Sequence, residues 1–220
     1  TKDNSKELKP ESRSSLSVYK PEGAYGLIKK HPKPNAILIN DATLWTCGPK
    51  GTLAEWDILF VDGKIEQVAP DITVPQGSAV VIEGAGKHIT PGLIDCHSHS
   101  AASSINEGTQ YITSEVRMRD VIDPNDINIY RQLGGGLTTA NVLHGSANPI
   151  GGQNVVIKLR WGSNANELIF KNAPKGIKFA LGENVKQANW SGTNRYPQTR
   201  MGAEQVIRDA FRAALDYKHA

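Results

Sequence analysis

The pattern of apolar residues changes character once along this 220-residue chain, at ITPGLIDCHSH (residues 89–99), and that change limits the folds open to it. Before it, short apolar runs alternate with turn signals: AILINDATLWT (36–46), GPKG (48–51), WDILFVDGKIEQVAP (56–70) and SAVVIEGAGKHIT (78–90). Asp62-Gly63 marks the tip of a hairpin within the third segment, because both central residues of a tight hairpin turn need positive φ. Four or more strands within about 55 residues, with no helical period, predict a small β-sandwich or barrel.

After residue 99 strands alternate with helices. DPNDINIYRQLGGG (123–136) reads as a helix with Asp123 as N-cap, Pro124 in the first turn and glycines from Gly134 as its stop. LTTANVLHG (137–145) and NVVIKLR (154–160) read as strands, SNANELIFKNA (163–173) as a helix and GIKFALG (176–182) as a strand. AEQVIRDAFRAALDYKHA (203–220) reads as a helix whose Val206, Ala210, Ala213 and Tyr217 recur at core-facing spacing. Strand then helix, repeated, predicts βα units and a parallel sheet. Residues 1–34 are polar and proline-containing and read as a linker or surface arm. The expected class is therefore α/β, with an arm (1–34), a β-sandwich domain (35–88) and a strand–helix domain (89–220).

Composition narrows the function. The formal net charge is +3 and no block of Lys and Arg stands out, so neither nucleic acid nor a membrane surface is implied as a partner. Two cysteines, Cys47 and Cys96, form no CxxC pair and are too few for a disulfide framework. No apolar run is long enough to span a bilayer, and the polar start gives no compartment.

The chemistry lies in PGLIDCHSHS (91–100). Side chains alternate along a strand, so Leu93, Asp95, His97 and His99 share one face and Ile94, Cys96 and Ser98 the other. Two imidazoles at i and i+2 can aim at one metal ion from adjacent pleats. The plain alternative is two polar residues closing a strand. Cys96, on the opposite face, reads as core rather than nucleophile. HGSANPIGGQN (144–154) is a loop of small residues, suited either to close approach to a ligand or to a tight connection. Trp161, Trp190 and Tyr196 are scattered and read as packing residues.

DGKI (62–65), PGLID followed by HSH (91–99), GGGLTTANVLHGSANPIGGQ (134–153) and GIKFALGEN (176–184) together resemble the amidohydrolase superfamily, including its imidazolonepropionase and dihydroorotase relatives. The resemblance covers about residues 36–217. It implies a β-sandwich beside a (β/α)8 barrel, of which some four strands are counted here, the first half. It implies a divalent metal, zinc first, as one or two ions held by His97 and His99 at the C-terminal end of the first barrel strand. The metal would lower the pKa of a bound water for attack on a C–N carbonyl centre of a small-molecule substrate. For a middle-strand ligand the pattern offers Lys178, in carboxylated form, or Glu183, and Glu183 is preferred because it sits nearer the strand end. The general-base Asp and further histidines are expected beyond residue 220; His144 and His219 do not replace them. On this reading the 220 residues are expected to need the remainder of a barrel, or a second copy, and to be inactive alone. The alternative is a non-catalytic binding or assembly module with a degenerate half barrel.

Overall fold

The computed structural model describes residues 34–220, so the expected arm lies outside the described residues except for Pro34. The first part contains β1 (Ala36–Trp45), β2 (Thr52–Val61), β3 (Lys64–Ala69), β4 (Val80–Glu83) and β5 (His88–Ile89). The hairpin joining β2 and β3 turns where the sequence places it: Asp62 has φ 49° and Gly63 φ 75°.

Among the described residues these five strands make one mixed sheet and not two facing sheets. Its order is β3-β2-β1-β4, with β5 also paired to β1. The cause lies in β1, whose register against β2 shifts twice, between Ile39 and Ala42 and between Ala42 and Leu44. Asp41 at the first shift adopts φ 55°. A bulge of this kind bends and twists its strand, and β1 pairs in parallel first with β4 and then with β5 along the same edge. The Asp57 side chain holds the bulge. It is buried, and its two oxygens accept the amide N–H groups of Asp41 (2.9 Å) and Ile72 (2.8 Å). Ala42, Leu44 and Ile58 form the core of this part.

The second part contains β6 (Leu93–Ser98), α1 (Ile127–Gly134), β7 (Leu137–Val142), β8 (Ile150–Gln153), β9 (Val155–Lys158), α2 (Ala165–Leu168), β10 (Ile177–Phe179) and α3 (Arg200–His219). Its core is separate and gathers Ile129 of α1, Val142 of β7, Ile157 of β9 and Leu168 of α2. β6 and β7 are parallel, joined through α1 as a βα unit requires. β9, however, runs antiparallel to β7. The segment between them contains β8 but no crossover helix, so the chain re-enters from the end at which β7 stopped. β10 pairs antiparallel with β8.

The helices are shorter or shifted relative to expectation. α1 starts at Ile127 with Asp126 as its cap, accepting from the Asn128 amide, while Asp123 closes a turn by accepting from the Asn125 amide. The second Asp126 oxygen accepts the Ala101 amide at 2.7 Å, so this cap also anchors the loop after β6. α2 is a single turn with a reciprocal Asn164–Glu167 capping box, and Ile169 leaves it in an extended conformation. On α3, Val206 is buried and Ala210 half-buried, but Ala213 and Tyr217 are exposed; in the second half of the helix Phe211 stacks on Phe179 of β10 with ring centroids 5.9 Å apart. No helix among the described residues is long and apolar enough to cross a membrane.

The Asp57 clamp gives a test. Asp57→Ala leaves two amide N–H groups without an acceptor, each costing about 1–3 kcal/mol when buried. The urea midpoint should fall by an amount equivalent to about 2 kcal/mol or more, with Asp57→Asn intermediate because one amide oxygen replaces two carboxylate oxygens.

Candidate metal centre

The site starts from β6. His97 lies within that strand and His99 directly after it, and their rings meet edge to face with centroids 5.2 Å apart. Both imidazoles are exposed. Asp95, on the same face, accepts the His97 amide N–H through Oδ1 at 3.0 Å, which fixes the backbone at the strand end. His99 Nδ1 lies 2.9 Å from the Leu143 carbonyl oxygen. A carbonyl only accepts, so Nδ1 carries the hydrogen and the Nε2 lone pair is left for another partner. Such a backbone contact orients a metal-binding imidazole.

Lys178 comes to this pair from β10. Its residue is 8% exposed, and Nζ stands 3.3 Å from His97 Nε2. A chain of side-chain amides holds β10 in place for this contact. Asn141 of β7 donates to the Cys96 carbonyl (3.2 Å) and accepts from Asn154 Nδ2 (2.7 Å), while Asn154 Oδ1 accepts the Gly176 amide (2.6 Å). The strand before the lysine is thereby tied to the strand that carries the histidines.

The electrostatics favour uncharged nitrogen donors. Burial lowers the Lys178 pKa below its ordinary value. The Lys178 charge, then burial, then His99 lower that of His97, against an opposing effect from Asp95. Unprotonated imidazole is the form that binds a metal, and an unprotonated amine is the form that reacts as a nucleophile.

The structure does not bring Glu183 to the histidines. β10 stops at Phe179 and the chain turns, leaving the Glu183 side chain 60% exposed and paired with Lys186 and, at 2.8 Å, with Arg200. Among the described residues no three His, Cys, Asp or Glu side chains gather as a metal-binding group. The third group beside the histidines is the lysine, a residue type that supplies such a ligand only after modification. Cys96 is exposed rather than core; Ser98 is the buried residue of that face.

His144 is a structural residue. It is buried, Nδ1–H donates to the Gly145 carbonyl (2.9 Å), and Nε2 accepts the Glu107 amide (2.8 Å). The expected loop ends at Pro149, and β8 occupies Ile150–Gln153; its glycines serve this packing, since a Cβ on Gly151 would lie 2.5 Å from the His144 ring and one on Gly152 would lie 2.7 Å from Val116. The first half of the segment is thus a tight connection beside a buried imidazole. His219 ends α3, remote in sequence from every residue of the centre.

The chain is 32% identical to the amidohydrolase tasK of Hapsidospora irregularis, over 80% of its own length and 21% of that protein. It is 41% identical over 51 residues to the imidazolonepropionase of Klebsiella pneumoniae strain 342, covering 23% of this chain and 12% of that protein. The crystal structure of an amidohydrolase from Thermotoga maritima MSB8 superposes with a TM-score of 0.74 at 36% identity, over 83% of this chain and 48% of that one. The chain belongs to the amidohydrolase superfamily. It spans about a fifth of the first curated relative and about half of the solved one. No protein-family model matches it.

A pH test follows from His144. Burial is the largest influence and lowers its pKa, the Gly145 hydrogen bond opposes this, and the Lys178 charge adds to the lowering. A folded-state pKa below the unfolded one means that the unfolded chain takes up the proton first. The stability His144 contributes is therefore complete above about pH 6.5 and is lost as pH falls from there toward the lowered value. His97 shifts the same way, so the measurement is a difference: urea unfolding of His144→Gln should depend less steeply on pH below about 6.5 than that of the unsubstituted protein.

Proposed function

We propose that this protein hydrolyses a C–N bond of a small amide, cyclic or dipeptide-like, with a divalent metal ion held by His97, His99 and a carboxylated Lys178. The observation that carries the reading is the meeting of Lys178 with His97 in a pocket that disfavours the ammonium form. The neutral amine adds to CO2: the Nζ–C bond forms, one C=O electron pair moves to oxygen, and the amine proton leaves to solvent. The product is a carbamate whose two oxygens share one negative charge and can both act as donors, on a stem fixed by β10. Two imidazole nitrogens and a carboxylate-type oxygen suit zinc and its neighbours.

A divalent ion so held supplies Lewis acidity, lowering the pKa of water and polarising a substrate carbonyl. The chain's own groups do the positioning. The Leu143 carbonyl sets the His99 tautomer, Asp95 fixes the backbone at His97, and the Asn141–Asn154 pair holds the lysine strand in register. The membership established above, and the amidohydrolase and imidazolonepropionase names of the relatives, support hydrolysis at carbon–nitrogen bonds.

Metal analysis and turnover on lactams, cyclic imides and dipeptides test the reading together. The purified protein should carry about one or two divalent ions per chain. His97→Ala with His99→Ala should lower metal affinity by more than about 100-fold, exceeding the loss seen when only an outer partner of a ligand is removed. Lys178→Ala should lose turnover and regain part of it when a short carboxylic acid is added, since a free carboxylate can then stand in for the carbamate. Mass spectrometry under native conditions should show one added CO2 that is absent in Lys178→Ala. Full metal binding by the double His variant, or inactivity on every amide class of a metal-loaded protein that carries these residues within a complete barrel, would overturn the assignment.

A further inference from the structure

A second depression, separate from the histidine centre, is lined by Arg117, Arg119, Lys158, Arg160, Lys171 and Lys175 and encloses about 970 Å³. Glu167 is the one carboxylate in its lining. Six cations against one anion exceed the formal charge of +3 carried by the entire chain, so the rest of the molecule is on balance acidic and the positive charge is concentrated here. Only Arg117 of the six forms an ion pair with a described carboxylate, that of Asp120 at 2.8 Å. Like charges gathered without counterions repel one another, and a bound anion relieves that repulsion.

Several of these cations are held in place. Arg117 lies in a backbone bridge to Gln153, and Arg160 donates to the Glu167 carbonyl at 3.2 Å. Lys158 of β9 stands 4.5 Å from the centre of the Phe170 ring. The Phe170 residue is 37% exposed, which leaves apolar surface inside an otherwise cationic wall. Asn166 and Asn172 add neutral amides to the lining.

We infer that this cavity binds a small organic polyphosphate. Guanidinium groups offer paired N–H donors that match phosphate oxygens, and lysines supply point charges between them. Glu167 in the lining and Asp120, paired with Arg117, are two carboxylates against six cations. The volume is that of a site for a whole small molecule rather than a lone anion, and the Phe170 surface suits the organic body of such a ligand. The six cations line one depression, which favours a compact anion over an extended acidic peptide. The floor of the cavity includes Asn154, the same residue that ties the Lys178 strand to β7. Occupancy can therefore be felt at the metal centre, although binding itself does not depend on the proposed hydrolase activity.

The test is calorimetric titration of the protein with inorganic tripolyphosphate, orthophosphate and a short poly-glutamate peptide. Tripolyphosphate should bind at least about tenfold tighter than orthophosphate, because more charge contacts form at once. Arg119→Gln combined with Lys171→Gln and Lys175→Gln should weaken tripolyphosphate by about tenfold or more. Lys50→Gln combined with Lys64→Gln and Lys218→Gln removes the same charge elsewhere and should leave affinity within about twofold. As a check independent of any variant, tripolyphosphate should protect Lys171 and Lys175 from amine acylation in the unsubstituted protein. The proposal fails if tripolyphosphate does not bind, if both triple variants weaken it equally, or if the two lysines are not protected. Tighter binding of the peptide than of tripolyphosphate would also overturn it, in favour of an acidic protein segment.

Discussion

The amide chain from Cys96 through Asn141 and Asn154 to Gly176 is the contact on which the centre depends. It joins strands far apart in sequence by directional hydrogen bonds, and each amide uses both its donor and its acceptor. Apolar packing alone would allow β10 to slide along its neighbour. Amide pairs at 2.6–2.7 Å permit one register, and that register sets Nζ of Lys178 against His97. A shift by one residue would send the lysine to the opposite face.

The same geometry explains why a lysine tolerates this position. Burying an ammonium group is costly, and its pKa falls in response. Burial lowers the Lys178 pKa, and the reach of the side chain brings Nζ to 3.3 Å from His97 Nε2. His144 shows the contrasting outcome for a buried titratable group. With both ring nitrogens engaged by the backbone, it serves the loop and is withdrawn from chemistry. His99 differs in that only its Nδ1 is engaged by the backbone, through the Leu143 carbonyl.

Much of the framework could be read from the sequence where the responsible forces are local. The Asp62-Gly63 turn, β1, β6 with its paired histidines, α1 and α3 follow from turn preferences, strand alternation and helical periodicity. Expectation departed from the structure where longer-range pairing decides. Asp126, not Asp123, caps α1 because its second oxygen also reaches the Ala101 amide. The first five strands form one sheet because the Asp41 bulge lets β4 and β5 share an edge of β1.

The sequence by itself determined that His97 and His99 share a face, since alternation of side chains along a strand leaves no other arrangement. It offered Lys178 and Glu183 together, and position along the strand favoured Glu183. Tertiary structure placed the two apart: β10 ends at Phe179, which leaves Glu183 beside Lys186 and Arg200, while Lys178 Nζ stands 3.3 Å from His97 Nε2. It also assembled the cationic cavity, whose residues are spread from Arg117 to Lys175 and form no basic run. The physical reason is common to both. Periodicity fixes which way a side chain faces relative to its neighbours in sequence, whereas the distance between two strands is set by the pairing, reversals and polar contacts of everything between them.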